Sequence, residues 1–209
     1  MRVPGLGKSV DWRVSAWDAP AMPLVWVTGV SGSGKSAVCE VLKARGERAV
    51  DADWEGFNRW VCRESREVVV EPPDPVPAGW LDRYGWEISR ERVEALATVS
   101  GDGTAFLFGG VENEDEVRDL FDVVVCLVID DETLKERLAT RTSNSFGKHP
   151  EELAASLWHN ARIEDRYRGL GAVVVDGTLP LDEVVEAVTT ARRTRRPWRP
   201  ARRRPTRPS

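Results

Sequence analysis

Gly29-Val30-Ser31-Gly32-Ser33-Gly34-Lys35-Ser36 follows the apolar run Leu24-Val25-Trp26-Val27-Thr28 and precedes the helix-like stretch Ala37 to Ala44. Glycines at this spacing, between a strand and a helix, let the backbone curl until several N–H groups point at one cluster of phosphate oxygens. Lys35 brings a cation to the β- and γ-phosphates, and Ser36 offers a hydroxyl to Mg²⁺. The positive end of the following helix adds to both. The stretch from Gly29 through Ser31, Gly32, Ser33, Gly34, Lys35 and Ser36 to Ala37 is therefore expected to bind a nucleoside triphosphate, ATP. The similar string Gly5-Leu6-Gly7-Lys8-Ser9 lacks both the first glycine and a preceding strand, and is read as chance.

Outward from this loop the chain alternates. Apolar runs at Leu24–Thr28, Ala49–Val50, Ala105–Phe108, Val123–Ile129 and Ala172–Val175 are separated by helical patterns. Helices are expected at Lys35–Ala44, Ser89–Val99, Asn113–Leu120, Asp131–Arg141, Pro150–Tyr167 and Leu181–Arg192. Alternation of this kind predicts an α/β, three-layer fold with a parallel sheet covered on both faces. Ligands then lie at the carboxyl ends of the strands, so the residues just after each run are the ones to inspect.

Size and composition agree with a single catalytic domain. The 209 residues, 41% of them hydrophobic, suffice for one core, and no apolar run approaches the roughly 18 residues of a membrane span. A cytoplasmic protein is expected. Cys39, Cys62 and Cys126 show no metal or C-x-x-C spacing and are read as buried free thiols. The net charge of −4 is uneven: nine arginines and no acid lie from Arg192 onward, which leaves the rest of the chain at −13. That Arg/Pro segment, 192–209, is expected to be a disordered basic tail, either a plain solvated extension or an arm for RNA. The acidic body speaks against nucleic acid as a partner elsewhere. Residues 1–21 are expected to be an extension, 22–191 the catalytic domain, and the assembly a monomer or homodimer.

Asp51-Ala52-Asp53 follows the second run. Carboxylates at i and i+2 leaving a strand point the same way, so one can serve Mg²⁺ and the other can accept a proton from an attacking hydroxyl. Solvated loop acids or a helix cap are the plainer alternative. After the third run, Gly109 and Gly110 give a substrate room to approach the backbone. Glu112 is a candidate acid near the metal, unless the string is a simple turn with Asn113 as the next helix's cap.

Cations cluster later. Arg137 and Arg141, at i and i+4, share a helix face beside the polar loop Thr142–Pro150, and Arg162 and Tyr167 are candidates to close over a nucleotide. Arginines aimed at the transferring phosphoryl group offset its charge. Region 137–162 is thus expected to act as a lid. Residues 54–100 are expected to form a helical acceptor-binding insertion in which Trp54, Trp60 and Trp86, interleaved with arginines including Arg90, can sandwich a planar or sugar ring. Pro72, Pro73, Pro75 and Pro77 mark a loop between its halves.

The loop at Gly29–Ser36, Asp51 and Asp53, the Gly109-Gly110 pair, the Arg162…Tyr167 spacing and Val175-Asp176-Gly177-Thr178 together resemble the shikimate kinase pattern over about residues 22–190. That family belongs to the nucleoside-monophosphate-kinase-like P-loop phosphotransferases. The third glycine of the pattern is Val111 here, and the segment Arg141–Pro150 looks closer to a gluconate kinase lid. The chain is also similar to actinobacterial P-loop proteins labelled ATPases or kinases. The resemblance implies a five-stranded parallel sheet, a mobile lid, Asp51 assisting Mg²⁺, Asp53 contacting or deprotonating the acceptor, and Asp176, Gly177 and Thr178 against adenine. The expected activity is phosphoryl transfer from ATP, with Mg²⁺, to a hydroxyl of a small-molecule acceptor, through Lys35, Asp53 and Arg141. A nucleoside kinase, an antibiotic phosphotransferase and an accessory ATPase are the alternatives.

Overall fold

The run before the glycine-rich loop forms β1 (Leu24–Gly29), buried at all six positions because strands flank it on both sides. A computed structural model describes residues 23–74, 76–98, 103–142 and 145–193. The expected extension 1–21, and the expected tail apart from Arg192 and Arg193, lie outside the described residues. The loop leads into α1 (Lys35–Ala44), then β2 (Arg48–Asp51). After an insertion come β6 (Ala105–Phe108), β7 (Val123–Val128), α4 (Asp131–Thr140), α5 (Pro150–Gly169), β8 (Val173–Asp176) and α6 (Leu181–Ala191). The sheet runs β2-β6-β1-β7-β8, all parallel.

Two apolar layers cover this sheet. Val25, Val27, Phe106, Phe108, Val125 and Leu127 pack with Val38 and Leu42 of α1 and Val184 and Val188 of α6. Alternate residues on the other face, Leu24, Trp26, Leu107 and Val124, meet Tyr167 of α5 and a further helix, α3 (Arg90–Thr98), through Val93 and Leu96. Period-two alternation in a strand buried on both faces produces this division. Trp26 is buried because its indole N–H has a partner, the Gly109 carbonyl at 2.8 Å, and its ring stacks on Phe121.

Three expectations are corrected. The insertion is not mainly helical: it carries an antiparallel sheet, β4-β3-β5, built from β3 (Asn58–Cys62), β4 (Val68–Val69) and β5 (Tyr84–Ile88), with only the short α2 (Trp80–Arg83) and α3 as helices. Cross-strand pairing of Trp60 with Trp86 outweighs local helical spacing. Segment Asn113–Leu120 forms two 3₁₀ turns, at Glu114–Glu116 and Arg118–Leu120, in place of a helix. Asn113 does not cap it; its amide exchanges hydrogen bonds with the backbone of Ile88 instead, and Glu114 turns inward to Tyr167, Arg118 and Arg166. Cys39 and Cys126 are buried, whereas Cys62 is only partly so.

Candidate active site

The sheet order sets β1 at the topological switch point, between β6 and β7, and the loop after β1 occupies the crevice there. Gly29 is required by space: a Cβ would stand 2.6 Å from both the Leu127 carbonyl and Ser33 Oγ. Gly34 is required by conformation, since it caps α1 at φ 100°. Lys35 Nζ donates to the Gly29 and Val30 carbonyls at 2.8 and 3.0 Å. Burial pulls its ammonium below the ordinary lysine range, while Asp53 and Asp51 act in the opposite direction.

Asp51 ends β2 and is buried. Its Oδ2 accepts from Ser36 Oγ at 2.7 Å and its Oδ1 from the backbone N–H of Asp53 at 3.1 Å. The expected metal pair, Ser36 and Asp51, is thus in contact. Asp53 faces elsewhere: its Oδ1 accepts from Asn58 Nδ2 at 2.6 Å and from Trp86 Nε1 at 2.9 Å. Lys35 and Arg141 both feel its charge.

Two arginines reach the loop, Arg137 from the last turn of α4 and Arg141 from the residue that follows the helix. Arg137 donates to the Gly177 carbonyl at 2.9 Å and approaches the Gly32 carbonyl at 3.4 Å. Arg141, whose guanidinium is pulled below its ordinary value by burial, donates to Ser31 Oγ at 2.9 Å and to the Phe146 carbonyl. Gly177 leaves β8 against the loop, where a Cβ would stand 2.8 Å from the Ser33 carbonyl. Asp176 accepts from the N–H and hydroxyl of Thr178 and shapes that turn.

Other expected residues are placed differently. Arg90 is held by a two-pronged pair with Asp119, both contacts 2.7 Å, and by Glu94, so it is not an open acceptor-binding cation. Arg162 lies over the exposed Trp158 on α5 and donates to its carbonyl, instead of reaching the loop. Tyr167 is buried against Glu114 and cannot cover a nucleotide. Glu112 pairs with Arg63 at 2.6 Å. Gly109 and Gly110 answer a packing need: added Cβ atoms would meet Ala52 at 3.0 Å and the Gly29 carbonyl at 3.0 Å. Trp54, beside Asp53 in sequence, is 62% exposed. In the region expected to be a lid, residues 143 and 144 lie outside the described residues.

Sequence reasoning passed over two residues of this region. Asn58, buried at the start of β3, braces Asp53; no local pattern announces it. Glu152 is buried, and its Oε2 accepts the Gly147 N–H at 2.7 Å, while its charge acts on Arg141. Its signal is legible: an acid at the third position of a helix that opens with Pro150 is placed to reach back past the helix start.

Among the described residues no helix is long and apolar enough to cross a membrane. No curated protein matches the chain. Solved structures similar to it include TT1252 from Thermus thermophilus, at 20% identity and TM-score 0.53 over 82% of this chain and 96% of that one. Another is a shikimate kinase from Bacteroides thetaiotaomicron, at 16% identity and TM-score 0.50 over 81% and 96%. A gluconokinase from Sinorhizobium meliloti 1021 aligns at 20% identity and TM-score 0.48 over 84% and 93%. At such identities the first two likenesses show the fold alone, a parallel sheet between layers of helices. A family model described as an AAA domain matches residues 25–159, well over half the chain and inclusive of the phosphate-binding loop, Asp51, Asp53, Arg137 and Arg141, and on that match the protein belongs to the AAA domain family of P-loop nucleotide-binding proteins.

Proposed function

We propose that the protein is an ATP- and Mg²⁺-dependent phosphotransferase that moves the γ-phosphoryl group of ATP to a hydroxyl of a small metabolite. The placement of Asp53 carries this reading. Its Oδ1 is held by Asn58 and Trp86, no donor among the described residues reaches Oδ2, and the carboxylate lies in the fields of Lys35 and Arg141. Such a carboxylate is positioned to act on a second substrate.

The metal fits the pair Ser36 and Asp51. Both offer hard oxygen, and among the described residues no group of three or more His, Cys, Asp or Glu side chains is gathered as a self-sufficient cage. That donor set suits an ion that keeps waters and takes phosphate oxygens. When bound, Mg²⁺ neutralises charge on the β- and γ-phosphate oxygens.

In the proposed reaction the loop N–H groups and Lys35 hold the phosphates, and Arg137 and Arg141 lie along the loop to stabilise charge on the moving group. The acceptor oxygen forms a bond to the γ-phosphorus, the bond from that phosphorus to the β–γ bridging oxygen breaks, and ADP leaves. The hydroxyl proton passes to Asp53 Oδ2. The decisive test incubates the protein with ATP, Mg²⁺ and a panel of sugars, nucleosides, cyclitols and aminoglycosides, followed by mass spectrometry. A phosphorylated panel member supports the reading; inorganic phosphate alone, released at the same rate with and without every acceptor, would identify an ATPase.

A further inference from the structure

The side chain that ties Asp53 to the insertion is an indole, and that indole begins an aromatic wall. Trp60 and Trp86 are directly paired across β3 and β5, with ring centroids 5.1 Å apart and planes inclined at 55°. One pair further along the same face, Cys62 opposes Tyr84, whose ring is taken by Trp80 in a 3.9 Å stack. Trp80 meets Trp60 at 80°, so neither indole neighbour lies parallel to the Trp60 ring. All four rings are only partly buried. Trp86 Nε1 contacts Asp53 Oδ1 at 2.9 Å, so the wall is continuous with the proposed reaction centre.

The insertion's charges lie elsewhere. Arg59 and Glu87 are a register pair on the opposite face of the strands, where Arg66 grips Glu87 with two contacts of 2.7 Å. Arg63 binds Glu112 and the carbonyls of Leu81 and Tyr84, and Arg90 binds Asp119. The Arg92 guanidinium lies against Gly56. Arg83 stands 6.0 Å from the Tyr84 ring centroid, at the end of the wall remote from Asp53. A small anion without a ring would gain nothing from the indoles, and beside Asp53 it would face a carboxylate.

Resting on the phosphotransferase reading, we propose that the acceptor is an uncharged, ring-bearing alcohol of the nucleoside class. Its planar ring lies on the Trp60–Trp86 wall while a hydroxyl, carried one sugar away, reaches Asp53. Stacking on indole supplies the affinity, a neutral planar ring being what this wall can take.

The test is calorimetry on the full chain with Mg²⁺ and a non-hydrolysable ATP analogue, titrated separately with adenosine, thymidine, shikimate and gluconate. At least one nucleoside should bind about tenfold or more tighter than either acid, with little dependence on salt. Trp60→Ala should weaken that binding by about tenfold, and Trp60→Phe, which keeps a ring, by much less. Cys62 lies on the same face, so the bound nucleoside should slow its alkylation by iodoacetamide in the parent chain, a readout that stands even if the alanine variant fails to fold. Tighter binding of shikimate or gluconate, failure of both nucleosides to bind, or unaltered affinity in a folded Trp60→Ala protein overturns the proposal. Phosphoryl transfer to one of the acids would overturn it and leave the phosphotransferase standing; failure of the ATP analogue itself to bind would remove that broader reading instead.

Discussion

Lys35 carries a half-buried positive charge that, among the described residues, is met by two loop carbonyls and the fields of Asp53 and Asp51. ATP supplies the missing anion. Lys35→Ala should therefore abolish turnover and the nucleotide-dependent rise in Tm, without lowering the Tm of the unliganded protein; differential scanning fluorimetry reads both. The pH dependence has a definite sign. A lysine whose folded pKa lies below 10.5 binds its proton less readily than in the unfolded chain, so stability rises with pH across the interval between the lowered value and 10.5. The stability difference between Lys35→Ala and the parent should shrink as pH climbs through that interval. Asp53 answers to a different assay. Asp53→Asn should slow phosphoryl transfer by about a hundredfold or more while ATP affinity stays nearly constant, because in the proposed reaction this carboxylate serves the acceptor. Asn58→Ala should lower the rate in the same sense by less. Collapse of ATP binding in Asp53→Asn would instead place that residue on the metal side.

At the scale of elements, the connection between α4 and α5 aims Arg141. Gly147 has φ 91°, and an added Cβ would stand 2.9 Å from both terminal carbons of Leu138. Its N–H is held by Glu152. Gly147→Ala should destabilise the protein by about 1–3 kcal/mol, measured as a lower urea midpoint with unchanged slope. Arg141→Ala should leave the fold intact and cut turnover by about a hundredfold, with a smaller loss of ATP affinity, since in the proposed reaction it acts on the moving phosphoryl group. The same elements show what sequence conveys. Spacing between Arg137 and Arg141 is local, and both reach the phosphate-binding loop, although the helix ends at Thr140 and Arg141 follows it in extended conformation. The strands of the insertion depend on Trp60 meeting Trp86, two residues separated by a proline-rich loop, and pairing across such a distance leaves no short-range period. Arg90 was misleading for a related reason: an arginine among tryptophans reads as a ligand-binding group until Asp119, 29 residues away, is seen to hold it.

For the whole molecule, the parallel sheet was legible because each apolar run is short, continuous and followed by a helix, the pattern of strands buried on both faces. Its order was not legible in the runs, because pairing between strands far apart in the chain leaves no local pattern; the structure sets β1 between β6 and β7, at the switch point. The inward turn of Glu114 to Tyr167 was not legible, since it joins the segment after β6 to α5 across the sheet face. The architecture holds Ser36 on Asp51 and sets Asp53, two residues on, against Asn58 and Trp86, with Lys35 and Arg141 close enough to act on its charge. Transfer of ³²P from γ-labelled ATP to an acceptor, compared in the parent, Lys35→Ala and Asp53→Asn proteins, tests this division directly. The account predicts a labelled acceptor with the parent, none with Lys35→Ala, and slow labelling at near-normal ATP affinity with Asp53→Asn; label released only as inorganic phosphate by the parent, at a rate Asp53→Asn does not change, would contradict it.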